Sequence, residues 1–232
     1  MTGYSELSPA PIRATIVLLA RRVNERFPDS GLSRVASELT GIADHNQAAI
    51  EQLRRPLWWV RALTALAIAL LLALVGWALF RLPHLSKGGS IDVATVLQAT
   101  DAATNQLLFL GLTVVFLASL EARIKRRTAL RLLHRLRSVA HVVDMHQLTK
   151  DPESVLRPAS KTASSPVRAL SRDQLARYLD YCSELLALTS KLAALHAQHL
   201  QDPVVLDAVN DIESLTADLS RKIWQKITIL DH

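Results

Sequence analysis

Two stretches of this chain, residues 62–80 and 102–120, each run for nineteen residues without a charged side chain. A helix rises about 1.5 Å per residue and bilayer hydrocarbon is about 30 Å thick, so each stretch is close to the length of one crossing. Residues 62–80 hold seven Leu with Ile68, Val75 and Phe80. At about −0.3 to −0.6 kcal/mol for each of these, with alanine near neutral, insertion is favourable by 3–6 kcal/mol. Residues 104–120 are equally apolar, with Asn105 and Gln106 at the entry. Trp58 and Trp59 stand at the start of the first stretch and Trp77 near its end, where amphipathic rings suit the headgroup layer. Pro56 kinks that helix or starts it. The pattern predicts transmembrane helices over 57–80 and 104–120, joined by a short external loop over 81–103.

Charge sets the expected orientation, counting Lys and Arg only. Residues 1–56 carry seven such bases, residues 121–150 carry eight, and residues 81–101 carry two. Both termini are therefore expected in the cytoplasm. The loop is too short for an external sensor domain; at most residues 90–100 form an interfacial helix. Residues 14–20 are too short an apolar run for a cleaved secretory signal, so the first crossing is expected to act as an internal one. Arg54, Arg55, Arg61, Arg123, Lys125, Arg126 and Arg127 flank the crossings and are the candidates for lipid headgroups, with Arg61 snorkelling from one turn inside. Ala65, Ala69 and Ala73, with Gly76 and with Gly111 on the second crossing, are the candidate close-packing residues, within the chain or between copies.

The flanking segments read as amphipathic helices. The arm 1–56 divides at Pro28-Asp29-Ser30-Gly31. Ile12, Ile16, Leu19, Val23 and Phe27 stripe the first helix; Leu32, Val35, Leu39, Ile42, Ala49 and Leu53 stripe the second. The helix of the second crossing should run on through 121–150, with Leu132, Leu136, Val139 and Val143 on one face. This segment has a net charge of +6, equal to that of the whole protein. No aromatics interleave its bases and no DNA-binding motif accompanies them, so anionic lipid is favoured over nucleic acid as its partner. Residues 151–170 are rich in Ser, Ala and Pro and read as a linker. Ser171 and Gln174 fit a capping box ahead of a stripe of Leu175, Leu179, Cys182, Leu185, Leu192 and His196. Asp202-Pro203 fits the start of a last helix striped by Val205, Val209, Ile212, Leu219, Ile223, Ile227 and Leu230, so 171–232 should form a helical hairpin. Its net charge of −3 suits docking on the basic helix.

Few residues invite catalytic chemistry. The lone cysteine, Cys182, excludes an internal disulfide and a CxxC site, and sits on an apolar stripe. Seven glycines, only Gly88 and Gly89 adjacent, provide no GxGxxG, P-loop or nucleophile elbow. His141, Asp144 and His146 do not share a helix face, although His141 can pair with Asp144. His196, His199 and Asp202, spaced by threes, are the weak metal candidates; the last-turn position of the histidines is explained equally by the helix dipole. Trp224 lies among Arg221, Lys222 and Lys226, a group suited to a helix end or to a membrane surface. No catalytic residue and no cofactor is expected.

The stretches DMHQLTKDP, residues 144–152, and SRKIWQKI, residues 220–227, together with the run after the second crossing, resemble a group of uncharacterised bacterial membrane proteins with two transmembrane helices. The resemblance covers most of the chain, implies a bacterial inner membrane, and brings no activity and no functional residue with it. The expectation is an all-α protein: a transmembrane hairpin with cytoplasmic helices on both sides, without enzymatic activity, self-associating, and offering its helices to each other or to a cytoplasmic protein partner. The rivals are an oligomeric channel or membrane-disrupting effector, and a membrane-tethered metal-dependent enzyme.

Overall fold

A computed structural model describes residues 6–85, 93–152 and 170–231. The middle of the expected external loop, most of the expected linker and His232 lie outside the described residues. Within them every regular element is a helix: α1 (Pro9–Arg26), α2 (Gly31–Arg54), α3 (Trp58–Leu85), α4 (Val93–Leu148), α5 (Arg172–His199) and α6 (Pro203–Asp231). Two of these, α3 and α4, are long and apolar enough to cross a membrane. The chain divides into two units, residues 55–125 and a second unit built from residues 1–54 and 126–232.

The helix ends follow local chemistry. Pro9 occupies the first turn of α1, where its missing N–H would have no helical partner. The α1–α2 turn places Asp29 at φ 56°, a left-handed conformation that Asp tolerates better than most residues. Ser30 Oγ then accepts the Ser33 N–H at 3.1 Å and starts α2. Pro56 begins a new helix rather than kinking an old one, since α2 ends at Arg54 and α3 starts at Trp58. Residues 93–103, expected in the external loop, are instead the first turns of α4, because no Gly or Pro follows Gly89 to stop a helix there. The capping box of α5 is present: Gln174 N–H donates to Ser171 Oγ at 3.3 Å and Ser171 N–H to Gln174 Oε1 at 3.0 Å. Asp202 Oδ1 accepts the Val204 and Val205 N–H groups and opens α6.

In the second unit α1, α2, α5, α6 and the part of α4 from Arg126 onward close over one core. Polar contacts fix the directions. Arg22 reaches Glu184 and Leu7 reaches Gln198, so α1 runs antiparallel to α5. Arg126 meets Asp202 and Arg137 meets Asp211, so α4 and α6 ascend side by side in the same direction. Arg135 meets Glu38 and the Gly31 backbone lies against the His146 ring, so α2 descends along α4. The stripes on α1, α2, α5 and α6 are buried, apart from a partly buried Ile227. On α4 the buried row is Ala129, Leu133, Leu136, Val139, Ala140 and Val143, and Leu132 falls at its edge. Helix α5 is buried on more than one face: Leu186, Leu188, Ala193 and Leu195 join the stripe, which makes it the central helix of the bundle.

Candidate membrane and partner surfaces

The unit of residues 55–125 presents its apolar side chains outward. Trp58, Trp59, Trp77, Leu66, Leu70, Leu72 and Phe80 are exposed on α3, as are Leu108, Phe109, Leu112, Val115 and Phe116 on α4. The apolar stretches within Trp58–Trp77 and Ala103–Leu148 are 11% and 0% buried. A core helix of a water-soluble protein of this composition would be mostly buried, so this surface needs an apolar surrounding or an apolar partner. The hydroxyls of Thr64, Thr104, Thr113 and Ser119 donate to backbone carbonyls of their own helices, which satisfies them without a polar neighbour. Ala65, Ala69, Ala73 and Gly76 are exposed, and a Cβ added to Gly76 or Gly111 would meet nothing within 4 Å. The ridge of small residues on α3 therefore faces outward, and the buried positions among this helix's described side chains are Val60 and Ala67.

At one end of this unit a carboxylate gathers the polar groups. Glu121 accepts from the Leu57 N–H at 3.4 Å and from Arg61 Nε at 3.2 Å, and pairs with Lys125 at 2.9 Å. It is the only acid between residues 102 and 143. Placed directly after an uncharged run, it was the available signal for a partner to Arg61, which sequence reasoning left to the headgroups. Arg123 lies over the Phe116 ring at 5.6 Å, and Arg55 and Arg123 are exposed. In the bundle, Arg127 is exposed and has no ionic partner among the described residues, whereas Arg126 holds Asp202 at 2.7 Å. Of the bases expected at headgroups, Arg61, Lys125 and Arg126 are thus paired with carboxylates; Arg54 lies outside the described side chains.

The bundle's buried polar groups were not legible as pairs. Asn46 on α2 and His196 on α5 are both fully enclosed. Asn46 Nδ2 donates to the Leu192 carbonyl at 3.3 Å, so its Oδ1 faces His196 Nε2, 2.5 Å away. Nε2 must then carry the proton, which leaves a lone pair on Nδ1, buried without a partner among the described residues. A second proton there would have no acceptor. Burial, with His199 nearby, accordingly pushes the His196 pKa down to about 4. Asp202, the third weak metal candidate, is occupied by its helix start and by Arg126. Burial pushes its pKa up, but the Arg126 and backbone hydrogen bonds outweigh it and hold the carboxyl below its ordinary value. The described residues contain no group of three or more His, Cys, Asp or Glu placed to share a metal ion.

Near the other end of the bundle, Lys226 Nζ donates to the Gln147 carbonyl at 2.8 Å and to Gln147 Oε1 at 2.6 Å, and Gln147 Nε2 donates to Asp144 at 2.6 Å. Asp144 is thus held by Gln147 instead of His141. Lys226 is turned inward, away from the expected surface group. Burial lowers its pKa, against the opposing pull of Asp151 and Asp144. Trp224 is exposed and Arg221 pairs with Asp218. Phe27 packs edge-on to Tyr178 and Tyr181 at 5.3 and 6.3 Å, with Lys150 over the first tyrosine and Arg22 over the second. Cys182 is buried beside them, and burial pushes its thiol up to about 12, far from a reactive thiolate. Comparison with models of known protein families, with curated proteins and with solved structures gave no match to this chain.

Proposed function

We propose that this chain is an integral protein of a bacterial inner membrane that crosses the bilayer twice, keeps both termini in the cytoplasm, and acts as a self-associating scaffold without enzymatic activity. The outward-facing apolar surface of α3 and of the first part of α4 carries the reading. A core drawn from both flanks of that surface supports the hairpin, because residues 1–54 and 126–232 can pack together only if the chain returns to the side from which it entered. Exposed Arg55, Arg123 and Arg127 suit anionic lipid, at about 1 kcal/mol for each base close to the surface. The bundle is the interaction module, for a second copy or for a cytoplasmic protein.

The test is native mass of the full chain in nanodiscs containing anionic lipid, followed by ion flux from liposomes carrying the same preparation. A defined small oligomer without flux is the expected result. A closed ring that passes ions would replace the scaffold with a channel or effector. A Lys87→Cys variant should react with an impermeant maleimide added outside spheroplasts. Labelling only after lysis would reverse the orientation.

A further inference from the structure

We propose that the face of the bundle formed by α4 and α6 is where a second copy of this chain binds; this rests on the self-association proposed above and names its surface. Between the two helices runs a groove of about 450 Å³, with Leu130 and Ala208 among its lining residues. Its α4 edge is basic, with Arg131 and Arg137 exposed, and its α6 edge carries the exposed Asp211, with Asp207 exposed one turn before it. Arg137 and Asp211 meet across the groove at 3.6 Å. Arg127, Arg131 and Asp207 have no ionic partner among the described residues. A phosphate or an acidic peptide drawn to the basic edge would lie against two aspartates. A basic partner on the acidic edge would meet the arginines. A surface of the same kind as this one satisfies both edges.

The register fits a symmetric pair. Arg126 touches Asp202, which fixes the level of α4 against α6. Arg131 and Asp207 each stand five residues further along parallel helices, about 7.5 Å above that contact at 1.5 Å per residue. A two-fold axis along the bundle leaves every residue at its own level and lays α4 of one copy over α6 of the other. Arg131 of each copy then meets Asp207 of the other, twice per pair, and the groove closes against its counterpart.

The experiment uses the full chain in nanodiscs at low salt. Arg131→Asp and Asp207→Arg should each weaken association at least tenfold, and the double variant should restore it. Mixed copies carrying Arg131→Cys or Asp207→Cys should form a disulfide with each other when a copper–phenanthroline oxidant is added, which reads the contact even where the apolar helices also hold copies together. Wild-type oligomers that survive both reversals and give no disulfide overturn this surface while leaving self-association intact. A wild-type chain that stays monomeric overturns both.

Discussion

His196 should make the bundle sensitive to mild acid. Its ring is fully buried, its Nε2 proton is given to Asn46, and its pKa lies near 4 against 6.5 for a free histidine. Between those values the unfolded chain binds a proton that the folded chain refuses, so stability falls as pH drops. The contribution is complete above the unfolded value and is lost as pH approaches the folded one. Going from pH 7 to pH 5 removes about 2 kcal/mol, a roughly twentyfold rise in the open population. The assay is hydrogen exchange of the α5 amides in the full chain held in nanodiscs, corrected for the intrinsic pH dependence of exchange. His196→Leu strands Asn46 Oδ1 and should be less stable at pH 7 by about 1–3 kcal/mol, but its opening should change far less with pH. The remaining histidines are common to both proteins, so the difference isolates this one. Equal pH slopes in the two would refute the argument.

Asp202→Ala removes the acceptor of two α6 amides and unpairs Arg126, and should destabilise the bundle by about 1–2 kcal/mol, with the first turn of α6 exchanging first. Gly31→Ala would drive a Cβ into the His146 ring and force that ring aside. We expect a loss of about 1 kcal/mol in thermal unfolding that disappears in a His146→Ala background. Lys226→Met leaves Gln147 Oε1 without its donor and the Gln147 carbonyl with the Lys150 N–H alone, for a loss of about 1–3 kcal/mol by the same measurement. Cys182 should react with a maleimide at least roughly a hundredfold more slowly in the folded chain than in denaturant; rapid modification would show that the core around it opens.

The helices and most of their buried faces could be read from the sequence because apolar spacing records which side of a helix avoids water. That rule assumes one buried side, and it fails for α5, whose neighbours surround it: Leu186, Leu188 and Leu195 lay off the expected stripe. The polar pairs could not be read, since Asn46 and His196 are 150 residues apart and only the order of packed helices brings them together. Lys226 was mistaken for a surface cation because a long apolar stem lets a lysine leave a buried row and still reach a polar group. Glu121 was the exception, an isolated acid whose position alone was informative.

The two-part origin of the bundle also dictates a timetable for its making. Helices α1 and α2 leave the ribosome first, with Ile16, Leu19, Leu39 and Ile42 on faces that α5 helps to cover. From the end of α2 to the end of α6 some 175 residues must still be translated, which takes roughly 10–35 s at 5–20 residues per second. On the reading proposed above, the apolar stretches of α3 and α4 are delivered to lipid throughout that interval while the first hairpin waits uncovered. Overproduction that outruns insertion should therefore lose protein through this early hairpin, in the newborn chain rather than in the finished one.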